Sequence, residues 1–184
     1  LRGRDFDLGL TEEYWQWRGL DAEGNQVELR DLPLLDLPME NAALALQAYL
    51  LTGLPWQPEL IGAALQRTRV TGRLDRRQIE WQGKRLNLLL DVGHNPHAAQ
   101  YLAERLARRP VAGKRLAVFG LLADKDLSGV VGSLQASVQH WAVAPLDSPR
   151  ARPVEDLQAA LENLGASVAS YASVAAALDA QCAQ

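Results

Sequence analysis

Asp91, His94, Asn95 and His97 stand within the stretch Leu88-Leu89-Leu90-Asp91-Val92-Gly93-His94-Asn95-Pro96-His97, where an apolar run ends in an acid, two imidazoles and an amide. Leu86 to Leu90 reads as a buried strand, Gly93 supplies backbone freedom, and Asn95 followed by Pro96 is a helix-start signal: an N-cap amide, then a residue whose missing N–H costs nothing at the first helical position. The helix expected over 96–108 points its free N–H groups back at this turn, which favours an anion there. Asp91 would then accept hydrogen bonds from ribose hydroxyls or hold a hydrated cation, unless it only orders the turn. Asn95 reads first as a cap. His94 can orient an amino-acid substrate or meet a phosphate, or can simply be exposed, and His97 reads as a surface residue of the first helical turn.

A second set of chemical groups is basic. Arg67, Arg69, Arg73, Arg76 and Arg77 cluster in the middle of the chain. Arg73 follows Gly72, and a guanidinium there can bridge two phosphate oxygens while keeping its charge at any relevant pH, although an exposed arginine in a basic linker is an equal reading. Arg76 and Arg77 are expected in solvent. Asn41, near the start of an expected helix, reads as a cap, or as an amide able to meet the adenine edge of a nucleotide. Asp124, Lys125 and Asp126 are expected in a loop held by a salt bridge, with Asp126 capping the next helix. Arg150 and Arg152 lie in a later loop, where their charge would attract a polycarboxylate.

Elements that position these residues follow from the patterning. Tyr14 to Arg18 and Gln26 to Arg30 flank Asp21-Ala22-Glu23-Gly24-Asn25 as a hairpin, and helices are expected over 40–52 and 58–67. Gln78 to Trp81 and Arg85 to Leu90 form a second hairpin around Gln82-Gly83-Lys84. Beyond it, strands are expected at 86–91, 115–119, 140–144 and 166–171, alternating with helices near 96–108, 127–138, 153–163 and 173–183. That rhythm predicts an α/β fold: a Rossmann-like, mostly parallel sheet with helices on both faces and right-handed crossovers. The boundary is placed at Thr68 to Arg73, with Gly72 as its flexible point, giving domains 1–70 and 71–184.

Composition narrows the function classes. The 184 residues are 48% hydrophobic with a net charge of -3, which suits a packed core and excludes a nucleic-acid footprint. A single cysteine permits no internal disulfide, and three histidines without cysteine partners give no zinc spacing. No apolar run approaches the roughly 20 residues of a membrane-spanning helix. A cytoplasmic, monomeric protein is expected, and a start at Leu1 without an initiator methionine and an end within a helical pattern at Gln184 make both ends read as cut.

The wording D-V-G-H-N-P-H-A closely resembles the Asp-x-x-His-Asn-Pro signature of the folylpolyglutamate synthase and dihydrofolate synthase family, whose wider relatives are the Mur ligases. Leu37-Pro38-Met39-Glu40-Asn41-Ala42-Ala43, Thr71-Gly72-Arg73 and Gly120-Leu121-Leu122-Ala123-Asp124-Lys125-Asp126 resemble the same family in the same order. The resemblance runs over nearly the whole chain but corresponds to the later part of such an enzyme. It implies that 1–70 is the end of a central ATP-binding domain and 71–184 the Rossmann-like C-terminal domain, truncated before at least one more strand that relatives carry after a final helix.

It also implies an ATP-dependent amide ligase that adds L-glutamate to dihydropteroate or to a folate tail through an acyl phosphate. In that reading Asn41, Arg73 and Asp91 bind ATP, Arg73 and His94 serve catalysis, and His94 meets the glutamate. No G-x-x-x-x-G-K-[S/T] loop occurs in the chain. The phosphate loop, most Mg2+ ligands and much of the pterin site are therefore expected in an N-terminal domain in cis, and the chain alone is expected to be inactive. Two alternatives stay open: a non-catalytic nucleotide-binding or interaction module, and a peptidoglycan-precursor ligase domain.

Overall fold

A computed structural model describes residues 1–184, which divide into two compact units, Leu1–Asp75 and Arg76–Gln184.

The first unit begins with an antiparallel meander of β1 (Phe6–Leu10), β2 (Tyr14–Leu20) and β3 (Gln26–Pro33). Alternation along β2 turns Trp15 and Trp17 to one face, where both are essentially fully buried. The expected hairpin is present as β2 and β3, and β1 extends it to three strands. Its turn is held by Asp21, whose carboxylate accepts from the Glu23 and Asn25 backbone N–H groups at 3.0 and 2.7 Å and from Asn25 Nδ2 at 3.1 Å. Helices α1 (Met39–Leu50) and α2 (Pro58–Arg67) follow as expected. Met39, Ala42, Ala43 and Leu46 of α1 complete a core with Trp15, Trp17, Leu29 and Leu32. Two directional bonds fix α1 to the strands: Trp17 Nε1 donates to the Ala43 carbonyl at 3.0 Å, and Gln47 Nε2 to the Leu20 carbonyl at 2.8 Å. Glycine is needed at position 19 because a Cβ there would collide with Gln47 and the Trp17 ring.

A two-stranded sheet follows, of β4 (Asp75–Trp81), whose first residue ends the first unit, and β5 (Lys84–Leu90) in the second. Gln82 and Gly83 both have positive φ, 47° and 76°, the requirement of a tight two-residue hairpin turn. Helix α3 (Pro96–Ala107) leads to β6 (Leu116–Phe119), α4 (Leu127–Leu134) with a 3-10 turn over Gln135–Ser137, β7 (His140–Val143), α5 (Val154–Asn163), β8 (Val168–Ser170) and α6 (Val174–Cys182). Strands β6, β7 and β8 form a parallel sheet in that order, with Ala117 opposite Trp141 and Trp141 opposite Val168.

Trp141 to Ala144, along β7 and its continuation, are all buried and alternate between two cores. Trp141 and Val143 face a core with Ala99 of α3, Val130 and Val131 of α4, and Leu157 and Leu161 of α5. Ala142 and Ala144 face Ala177 of α6. Helices thus cover both faces, as the strand-helix rhythm predicts. One expectation is corrected: residues 86–91 do not add a strand to the parallel sheet. The two-residue turn commits an edge of β5 to β4, and β6 pairs with β7 alone.

Gly72 also differs from its expected role as a flexible point. It is buried at φ 70°, in a turn closed by the Arg73 N–H on the Val70 carbonyl at 3.0 Å, and its own N–H donates to Asp75 Oδ2 at 3.2 Å. Positive φ at the third turn position is what a type II turn demands, so this glycine fixes the chain.

Candidate functional site

The chain leaves β5 into the turn 91–95. Asp91 is half-buried, and its Oδ1 accepts the Gly93 N–H at 2.7 Å. A Cβ on Gly93 would lie 2.7 Å from that oxygen and 3.1 Å from the Ala98 Cβ, so a side chain there would displace the Asp91 carboxylate and crowd Ala98. His94 is exposed, and its Nδ1 lies 3.1 Å from the Val92 carbonyl. A carbonyl only accepts, so in this bond Nδ1 is the donor, which leaves Nε2 free of the turn. Asn95 caps α3: its Oδ1 accepts the Ala98 N–H at 2.9 Å, with extended backbone at the cap and Pro96 at the first helical position. His97 is exposed in the first turn.

A second loop lies beside this turn. Residues 120–126, after β6, are stitched to the loop after β7 by a bridge between Leu122 and Ala151, by the Ala123 N–H on the Arg150 carbonyl at 2.8 Å, and by the Arg152 N–H on the Leu121 carbonyl at 2.9 Å. Lys125 pairs with Asp124 at 2.8 Å, as expected of a salt-bridged loop. The Lys125 hydrogen bond, with help from the Arg150 charge, holds the Asp124 carboxyl below its ordinary range. Asp126 caps α4, its Oδ1 accepting the Gly129 N–H at 3.0 Å, also as expected. The Pro96 ring packs over Gly129, so the starts of α3 and α4 abut. Two helix N-termini therefore present partial positive charge near the loop that bears Asp91 and His94.

Asn41 and Arg73 belong to the first unit, Arg76 and Arg77 to the start of the second. Asn41 is not a cap. Pro38 occupies the cap position of α1, and Asn41 is its third residue, with its backbone N–H on the Pro38 carbonyl at 3.1 Å and its side chain exposed. The proline starts the helix earlier than the amide suggested. Arg73 is exposed. Arg76 and Arg77 are exposed as expected.

The sequence profile of the Mur ligase glutamate ligase domain matches residues 72–184. This chain belongs to that family. It is 38% identical over 179 residues to the dihydrofolate synthase/folylpolyglutamate synthase of Escherichia coli strain K12, an alignment covering 97% of this chain and 39% of that protein. The structure of E. coli FolC in complex with DHPP and ADP superposes with a TM-score of 0.79 at 37% identity, covering all of this chain and 41% of that one. A bifunctional folylpolyglutamate synthase/dihydrofolate synthase with Mn, AMPPNP and L-glutamate bound superposes with a TM-score of 0.77 at 32% identity, again over the whole chain and 41% of the other. The chain thus spans about two fifths of the length of the relatives it matches.

Within this glutamate ligase domain the loops after β5 and β6 supply hydrogen-bond acceptors, helix N-termini and a lysine. No helix is long and apolar enough to cross a membrane. No group of three or more His, Cys, Asp or Glu side chains is placed to hold a metal ion. Two residues that hold the site together were not singled out for that role by sequence: Gly129, which lets the two helix starts meet, and Arg152, whose partners are backbone carbonyls.

Proposed function

We propose that this chain is part of an ATP-dependent ligase that joins L-glutamate to dihydropteroate, or to the glutamate tail of a folate, through an acyl phosphate. The observation that carries the reading is the 91–95 turn: it delivers Asp91 and His94 together at the start of a capped helix, with the imidazole held through Nδ1 on the Val92 carbonyl. Relatives whose structures hold ADP, AMPPNP and L-glutamate support it.

A carboxylate does not react with an amine at a useful rate, because its oxygen is a poor leaving group. Transfer of the γ-phosphoryl group of ATP to the folate-side carboxylate makes an acyl phosphate. The glutamate amino group attacks its carbonyl carbon, the C–N bond forms, the C–O bond to phosphate breaks, and the amine loses a proton. In this reading His94 orients the amino group through Nε2, since a neutral imidazole acceptor favours the N–H of an amine over a bare anion. Asp91 accepts from the nucleotide ribose, Asn41 meets the nucleotide base, and Arg73 offers a guanidinium to the phosphate oxygens as charge builds on them.

The divalent metal that the family implies finds no ligand set among these residues. Its ligands are assigned to the remainder of the ligase, as are the phosphate loop and the pterin site, and no step above runs through it. Residues 1–70 would complete the ATP-binding domain, and the 184-residue chain by itself would not catalyse ligation.

The test uses the ligase that carries this chain and measures glutamate-dependent ADP release with dihydropteroate, with a reduced folate and with a muramoyl peptide. Release with either or both of the first two and not with the third is expected. Release with the muramoyl peptide alone, or with none, overturns the proposal.

A further inference from the structure

Arg152 stands two residues before α5, on the loop after β7, and sends its guanidinium across to the loop after β6. Nη2 donates to the Ala123 carbonyl at 2.6 Å and to the Lys125 carbonyl at 2.7 Å. Its own backbone N–H bonds the Leu121 carbonyl, so one residue grips the 120–126 loop at three carbonyls. Nε is buried with no partner. Sequestering a charged donor in this way is unfavourable, so the two Nη2 bonds must outweigh it, which marks the orientation as set by the loop carbonyls. The gripped segment ends at Asp126, the cap of α4, and Gly129 of that helix takes the Pro96 ring that opens α3. A continuous chain of contacts therefore runs from Arg152 through the 120–126 loop and α4 to the start of the helix whose preceding turn holds His94.

We infer that Arg152 is a positioning residue: its guanidinium fixes the 120–126 loop and the start of α4, and through them the place of the turn that receives glutamate. The glutamate assignment rests on the proposed function; the strut itself does not. One terminal nitrogen of a planar guanidinium gives its two hydrogens to the two carbonyls, and a lysine ammonium, a compact point charge on a different stem, reproduces this only in part.

Two measurements decide it. In the 184-residue chain, Arg152→Ala should speed amide hydrogen exchange at Ala123 and Lys125 by about tenfold, while the amides of β7 keep their protection. In the ligase that carries the chain, the same substitution should raise the KM for glutamate by about tenfold with kcat within about threefold, and Arg152→Lys should recover part of both effects. If Arg152→Ala does not fold, Arg152→Lys against wild type carries the same comparison at smaller amplitude.

Unchanged exchange overturns the strut. A raised KM with unchanged exchange also overturns it, because that pattern belongs to direct contact with substrate. Faster exchange with an unchanged KM overturns the link to glutamate. His94→Ala run in parallel separates the two readings: if it raises the KM for glutamate and Arg152→Ala does not, the present inference alone fails; if His94→Ala leaves that KM unchanged, the glutamate assignment fails.

Discussion

Pro96 and Gly129 are in direct apposition: a Cβ placed on Gly129 would lie 2.5 Å from Pro96 Cγ and equally close to Asp126 Oδ2. This contact joins the starts of α3 and α4, and through them the two loops that carry the candidate chemistry. Helix propensity alone favours alanine over glycine by about 1 kcal/mol. The collision should reverse that sign, and Gly129→Ala is expected to destabilise the chain by about 1–3 kcal/mol through overpacking. Gly132, also in α4 but with open space where its Cβ would stand, provides the control. Gly132→Ala should stabilise by about 0.5–1 kcal/mol. Urea unfolding of both variants checks the pair.

The Asn95 cap offers a separate test of the same turn. Its Oδ1 bond to the Ala98 N–H satisfies a donor that the helix cannot. Asn95→Ala is expected to cost about 1 kcal/mol, and Asn95→Asp, an equally good cap, less than about 0.5 kcal/mol. Chemical denaturation midpoints read both.

Acid should loosen the first hairpin turn. The Asp21 carboxyl is held below its ordinary range first by the Asn25 side chain and then by the backbone N–H groups of Asn25, Glu23 and Gly24. A depressed value in the folded state means that the stabilisation is complete above the unfolded value, about 3.9, and is lost as pH falls through the folded value. The urea midpoint, followed by the fluorescence of buried Trp15 and Trp17, should therefore fall as the pH is lowered below about 4, and less steeply in Asp21→Asn. Equal slopes for the two proteins would show that this turn does not carry the effect.

Much of this arrangement was legible in the sequence where a local rule governs it. Asn95-Pro96 encodes a cap within a few residues, and so does Asp126 before α4. Alternation of Trp15 and Trp17 with polar neighbours encodes a half-buried strand. Strand β1 carries the same signal in Phe6, Leu8 and Leu10, but its partner register, Leu8 opposite Trp17, is visible only once the meander has formed. Asn41 misled because two helix-start signals competed and the proline won. The strand before Asp91 misled because its run of leucines suits a parallel sheet, while the Gln82-Gly83 turn ties it to β4. Arg152 was legible only as charge: its partners are main-chain oxygens 27 and 29 residues away, which no residue type announces.

In the proposed function the turn 91–95 divides its work, Asp91 serving the nucleotide and His94 the glutamate. The most direct measurement is steady-state kinetics of the ligase that carries this chain, with ATP and glutamate varied separately in Asp91→Ala and His94→Ala. The predicted result is a crossed pattern: the KM for ATP rises about tenfold or more in Asp91→Ala and the KM for glutamate does so in His94→Ala, with the other KM within about twofold in each. Folded variants in which neither KM moves would contradict it.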